Sequence, residues 1–296
     1  MADIDTLQFH AILSQAATKV EDMLDTILPP SGSPVADAMR YATLTGGKRL
    51  RAFFVIETAS MFNVPALQHE RVAAAVECMH AYSLIHDDLP CMDDDDMRRG
   101  KPTVHKAWDE ATAVLAGDAL QAFAYQILAA PRTAPDPAVR LKLMEHLALA
   151  TGVNGMVGGQ ALDIEFETSP ATRSVEEIKQ MQAMKTGALI SWSLEAGAIM
   201  GKQNTTALLE YAKDIGLAFQ ISDDIIDVIG DPAVTGKRVG KDAAAGKATF
   251  VSELGLEGAQ ALVRELVGNA VTKLEPYGSA ARNLRLAAHY VAERKA

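Results

Sequence analysis

An all-α fold is predicted by three features of the sequence. Alanine is abundant while aromatic residues make up only 5% of the chain, a composition that favours helix. The alternating in-and-out pattern that a half-buried strand needs is hard to find at any position. Proline and glycine interrupt the apolar runs at short connections, where helices stop.

Taken in order, the first helix is placed over 4–27 and ends at Pro29-Pro30-Ser31-Gly32. A long second helix, 34–62, runs to Asn63-Val64-Pro65, and a third, 68–88, to Leu89-Pro90. Helices over 107–130 and 137–157 flank the stretch from Pro131 to Pro137. After Ser169-Pro170 come 174–200 and 204–229, the latter closed by Gly230-Asp231-Pro232, and then 245–254, 257–274 and 280–294. No strand is expected. The run from Arg71 to His86 is apolar on most faces, which marks a central helix surrounded by others.

With 296 residues, of which 49% are hydrophobic and 22% charged, the chain can bury a full core, and disordered or collagen-like classes are excluded. No linker, low-complexity tract or repeat divides it, so a single domain over 1–296 is expected. A net charge of −10 repels nucleic acid and anionic membrane surfaces. No apolar stretch approaches the roughly 20 residues that span a bilayer, and MADIDTLQFH lacks the regions of a secretory signal, so no membrane insertion is expected. Cys78 and Cys91 form neither a disulfide framework nor a zinc set, which points to a reducing cytoplasm.

Two acidic clusters stand out. Asp87-Asp88 ends the third helix and is followed within a few residues by Asp93 to Asp96; Asp223, Asp224 and Asp227 lie near one face of a later helix. A helix C-terminus carries partial negative charge, so aspartates there cost about 0.3–1 kcal/mol each unless cations compensate. Hard oxygen ligands with no paired His or Cys suit Mg²⁺ bound together with substrate phosphates. Asp95 and Asp96 are read as solvated. An EF-hand is excluded, because Arg98 stands where its turn glycine should be. The apolar neighbours Phe219, Ile221, Ile225, Ile226 and Val228 imply that the second cluster is buried.

Each acidic cluster has basic company. Gly46-Gly47 precede Lys48 and Arg51, Arg98-Arg99 follow the first cluster, and Gly236-Lys237 and Gly246-Lys247 follow the second. Arg49, Arg238 and Lys241 are read equally well as solvated surface. His80 lies seven residues before Asp87 and so points along nearly the same face. Lys185 sits in a strongly apolar helix without an acidic neighbour at i±4, and a buried lysine there needs an anion.

These residues carry a resemblance. GGKRLR at 46–51, DDLPCMDDDDMRRGKP at 87–102, GGQALD at 158–163, KT at 185–186, FQISDDIID at 219–227 and GKRVGKDAAAGKAT at 236–249 occur in order. The chain thereby resembles the trans-isoprenyl diphosphate synthases, most nearly their bacterial farnesyl diphosphate synthase branch. The resemblance implies an isoprenoid synthase helical bundle around a central apolar cavity, usually as a homodimer. It implies that Asp87, Asp88, Asp93, Asp223, Asp224 and Asp227 hold three Mg²⁺ ions that bind the allylic diphosphate. Arg98, Lys185, Thr186, Gln220, Lys237 and Lys247 would contact the same group. Gly47, Lys48, Arg51, His80 and Arg99 would bind isopentenyl diphosphate without metal. The residues expected to act most directly in catalysis are Asp87, Asp88, Asp93, Arg98, Lys185, Asp223 and Asp224. A lid is expected at 230–248, with Arg294-Lys295 aiding closure.

Product length is expected to follow cavity depth below Asp87. Helix geometry places Ser83 beneath it, at about 40°, and Tyr82 further round, at about 140°. In the family, an aromatic at the fifth position before a DDx4D motif accompanies C15 products, so Tyr82 argues for farnesyl diphosphate. Geranyl or geranylgeranyl diphosphate is the alternative within the family. A non-catalytic subunit of a heteromeric synthase would be expected to lose an aspartate motif, and a terpene cyclase to lack GGKRLR with two aspartate-rich motifs.

Overall fold

In the computed structural model, residues 2–169, 173–229 and 249–293 are described, with side chains from residue 6 onward. The expected all-α architecture is present. In order it comprises α1 (Ala2–Ile27), α2 (Pro34–Leu44), α3 (Leu50–Met61), α4 (Ala66–Asp87), β1 (Met97–Arg98), β2 (Lys101–Pro102), α5 (Val104–Ala107), α6 (Glu110–Ala129) and α7 (Pro137–Thr151). It continues with α8 (Met156–Thr168), α9 (Val175–Gln182), a π turn (Ala183–Gly187), α10 (Ala188–Met200), α11 (Thr206–Ile229), α12 (Phe250–Lys273), a 3₁₀ segment (Glu275–Ala281) and α13 (Arg282–Glu293).

Several expected helices are divided, each for a local reason. The helix placed over 34–62 breaks between Leu44 and Leu50, because Gly46, Gly47 and Arg49 take positive φ values of 83°, 127° and 51°. The helix placed over 107–130 begins instead at Glu110, where the Asp109 carboxylate accepts the Thr112 N–H at 2.7 Å and fixes the start. The helix placed over 137–157 stops at Thr151, and α8, which the sequence reading lacked, follows after a short turn. Gly255, at φ 71°, puts a kink in α12 where the sequence reading had separated two helices. The expectation of no strand is corrected by one minimal hairpin, in which Met97 pairs with Pro102 and Arg98 with Lys101. Its turn residues, Arg99 and Gly100, both have positive φ, 52° and 75°, as a two-residue hairpin turn requires.

The chain folds as two compact units. An amino-terminal unit contains residues 10–145 and 196–203; a carboxy-terminal unit contains 1–9, 146–195 and 204–296. In the first, α4 packs against α3 and α6, and α2 against α6. The consecutive residues Val72 to Val76 are all fully buried, so α4 is covered on every face as expected of a central helix. In the second, α11, α12 and α13 pack on one another, and the π turn packs on α8, α9 and α11. Buried hydroxyls there are satisfied by backbone: Tyr211 Oη donates to Leu284 O at 2.8 Å and Ser222 Oγ to Val291 O at 3.0 Å. No described helix is long and apolar enough to cross a membrane.

Candidate active site

The amino-terminal unit gathers most of the basic candidates around α4. Period 3.6 puts Glu77, His80, Ala81, Leu84 and Asp88 along one side of this helix, and all five line one pocket together with Arg98 and Arg99. Asp88 is 3% exposed. Its Oδ1 and Oδ2 accept from Arg98 Nε at 2.8 and 2.9 Å, and Arg98 Nη2 reaches Oδ1 at 2.6 Å. Burial pushes the Asp88 carboxyl up, and Arg98 opposes that shift. Arg98 in turn is held above its ordinary value by the Asp88 carboxylate, burial working against it.

The hairpin turn aims Arg99 back at the loop between α2 and α3. Its Nη1 donates to Gly46 O. A Cβ on Gly47 would come within 2.7 Å of the Arg99 guanidinium, which would have to swing aside, and the φ of 127° at this position is the stronger reason for glycine. Arg51 Nη1 lies 3.4 Å from His80 Nε2. Burial first, then the Arg51 and Arg99 charges, pushes His80 well below its ordinary value, so the ring is neutral. Gly47, Arg51, His80 and Arg99 are therefore brought together, and Lys48 stands exposed on the same loop.

The reading of Arg49 as equally a solvated residue is corrected. It is 4% exposed, and its Nη1 pairs with Glu77 Oε2 at 3.1 Å. Glu77 is absent from the sequence candidates, whereas Arg49 stands there open between the two readings. The available signal was Glu77, the single acidic residue in the otherwise apolar stretch from Arg71 to His86.

Asp87 is half-buried and Asp93 exposed, joined through the Asp93 N–H to Asp87 O at 2.9 Å. Among the described residues, a different set, Asp94, Asp96 and His105, brings three ligand atoms within 4.8 Å of one another. Lys106 Nζ already neutralises Asp96 at 2.8 Å. Tyr82 turns away from the pocket side of α4. Its ring meets His86 edge-on at 5.2 Å and its hydroxyl bonds Gln121 of α6. Ser83 Oγ donates to His80 O at 2.9 Å.

The carboxy-terminal unit holds the second cluster. The lysine expected to need an anion has one within the chain: Lys185 Nζ meets Asp163 Oδ2 at 2.5 Å. The arrangement depends on Gly159, where a Cβ would fall 2.1 Å from Lys185 N; the closeness lets α8 lie on the π turn. Inserted π turns recur at functional positions, and this one carries both Lys185 and Thr186 and packs on α11, the helix of Gln220, Asp223, Asp224 and Asp227.

The expectation that the second cluster is buried is corrected in part. Ile221 and Ile225 are buried, but Phe219 and Ile226 are half-buried, Val228 is 54% exposed and Asp223 is exposed. The helix is amphipathic, with its aspartates off the buried side. Asp224 Oδ2 accepts the Phe250 N–H at 2.8 Å and so anchors the start of α12. Lys237 and Lys247 lie outside the described residues, as do the expected lid at 230–248 and Arg294-Lys295.

Each unit thus carries an aspartate-bearing helix attended by cations, in an all-α protein. The chain belongs to the polyprenyl synthetase family, whose sequence model matches residues 33–282. It is 45% identical over 276 residues to the farnesyl diphosphate synthase of Escherichia coli, covering 90% of each chain. Among solved structures it resembles an FPP/GFPP synthase from Zymomonas mobilis, with TM-score 0.88, 47% identity and 97% and 99% coverage of the two chains. It also resembles a geranyltransferase from Helicobacter pylori complexed with magnesium and isoprenyl diphosphate, with TM-score 0.82, 31% identity and 94% and 96% coverage.

Proposed function

We propose that the chain is a farnesyl diphosphate synthase that joins isopentenyl diphosphate head to tail with dimethylallyl and then geranyl diphosphate. The observation that carries this reading is the pocket lined by His80, Arg98 and Arg99 beside Asp88 of the first aspartate motif, with Arg51 3.4 Å from His80. One reaction partner must lose its diphosphate and the other must keep it, and two differently built anion sites meet that need.

The six aspartates Asp87, Asp88, Asp93, Asp223, Asp224 and Asp227 offer only hard oxygen donors, which fits Mg²⁺. We infer three ions for the reaction. Bound magnesium supplies Lewis-acid stabilisation of the departing diphosphate. Arg98, Lys185, Thr186, Gln220, Lys237 and Lys247 bind the same leaving group, and preorganised cations lower the cost of its developing charge. The allylic C–O bond breaks first, leaving an allylic carbocation and diphosphate; Gly47, Lys48, Arg51, His80 and Arg99 hold isopentenyl diphosphate, whose double bond then attacks that carbon. The released diphosphate takes the proton that leaves, and the new alkene forms. No side chain acts as nucleophile.

Both aspartate motifs serve this one reaction, so the two units act as a single functional domain; the family match across residues 33–282 supports that reading. We infer a cytoplasmic homodimer, supported by membership of the polyprenyl synthetase family and by two free cysteines that suit a reducing compartment. Light scattering of the purified chain tests the mass. Product length is tested by mass spectrometry after incubation with Mg²⁺, isopentenyl diphosphate and each allylic primer in turn. C15 product from dimethylallyl and geranyl diphosphate, with farnesyl diphosphate unused, is expected. A longer product is the second reading, favoured by the two products in the name of the Zymomonas relative.

A further inference from the structure

We propose that Glu77 is a positioning residue that sets the shape of loop 45–49 and thereby governs capture of the diphosphate that does not ionise. The proposal rests on the assignment of that loop to isopentenyl diphosphate.

Helix α3 starts at Leu50 with Arg49 in the N-cap position, at φ 51° and with no side-chain cap of its own. The missing acceptor comes from another helix. Glu77 of α4 is 2% exposed, and its Oε1 accepts the Ala52 N–H at 3.1 Å, which serves the first turn of α3. Its Oε2 accepts from Arg49 Nη1 at 3.1 Å. The remaining Arg49 donors reach Thr43 O at the end of α2 and Glu21 Oε1 of α1. One carboxylate and one guanidinium thus pin both ends of a loop whose middle, Gly46 and Gly47, has little stiffness of its own.

The pair also takes up the Arg49 charge. Glu77 neutralises Arg49, while Arg51, one residue beyond Leu50, faces His80, and Arg99 lies against Gly47. Glu77 and His80 line the same pocket. Releasing the loop would move Lys48 and Arg51 relative to His80 and Arg99 while leaving α4 in place. Misplacement of a binding group by about 1 Å is enough to cost about 100-fold.

The test uses the full-length chain with Glu77→Gln and Glu77→Ala, varying each substrate at saturating concentration of the other. Glu77→Ala is expected to raise KM for isopentenyl diphosphate about 100-fold. Glu77→Gln keeps an acceptor for Ala52 and should raise it about 10-fold, with KM for geranyl diphosphate within about twofold in both. Arg49→Lys should match Glu77→Gln, and the double variant should be no worse than the poorer single one. Equal rises in both KM values, or an unchanged KM for isopentenyl diphosphate in a folded Glu77→Gln protein, would overturn the proposal. If Glu77→Ala fails to fold, Glu77→Gln decides. If the unaltered chain forms no product from any primer, the functional reading fails instead. Calorimetry with inorganic pyrophosphate and no metal then decides the role of Glu77: about 10-fold weaker binding by Glu77→Gln sustains it, and equal binding sinks it.

Discussion

Tyr82 and Ser83 are adjacent on α4, yet they face different surroundings. Ser83 bonds back to its own helix, whereas the Tyr82 ring is buried against His86 and reaches Gln121 on α6. Truncating Tyr82 empties volume between α4 and α6. Tyr82→Ala is therefore expected to lengthen the principal product beyond C15, read by mass spectrometry, and an unaltered product profile would remove Tyr82 from that role. The aspartates call for a different readout. Asp87→Ala and Asp223→Ala should each lower kcat by at least about 100-fold, the scale on which removing one charge-stabilising group acts, with thermal midpoints close to the parent. Retention of more than a tenth of the activity in either variant would count against that carboxylate. The motifs themselves were legible at this scale, because aspartates at helix ends and cations beside glycines are visible as residue types. Partnership was not legible. Asp88 with Arg98, Lys185 with Asp163 and Arg49 with Glu77 are contacts between elements, which no local spacing reveals.

Among the elements, the π turn and α8 depend on each other through one missing methyl group. Gly159→Ala would bring Cβ against Lys185 N and Cα, so α8 must shift away and the pair Lys185–Asp163 must open. Overpacking of this kind typically costs about 1–3 kcal/mol. The expected result is a lower thermal midpoint together with reduced turnover, while KM for isopentenyl diphosphate, whose proposed site lies in the other unit, changes less than about twofold. An unchanged midpoint would show that α8 yields freely. Element boundaries were harder to read than element type. Periodicity alone ran 34–62 as one helix, because the three positive φ angles that break it are paid for by contacts with Glu77, Thr43 and Arg99 rather than by local sequence. Composition and the lack of strand alternation carried the helical class, whereas α8 was missed because the helix placed over 137–157 ran past Thr151 and the next was started only at 174, although Gly158 and Gly159 both lie inside α8.

For the molecule as a whole, acid is expected to be destabilising through buried histidines. His69 is 5% exposed and held down to about 4, chiefly by burial and then by the Lys19 charge; His80 is lowered as well. A histidine whose folded value lies below the unfolded one is neutral in the native state, so the unfolded chain binds more protons between the two values. Stability is then full above about pH 6.5 and is lost as pH falls from there toward 4, by at most about 3 kcal/mol for His69. Chemical denaturation at pH 7, 5.5 and 4.5 checks this, and His69→Leu should flatten the acid limb. A limb of equal slope in that variant would assign the loss to other groups.

The sequence by itself determined the helical class, the two aspartate motifs and the cationic company they keep, because these depend on composition, short-range periodicity and residue chemistry; the family followed from the resemblance of its ordered motifs. Only the tertiary structure decided which cation answers which carboxylate, that Arg49 is buried instead of solvated, that one side of α11 lies open, and that Tyr82 faces α6. Those pairings join residues from 10 positions apart, Asp88 with Arg98, to 28, Arg49 with Glu77, and burial and pairing are properties of how elements meet, not of the residue types alone.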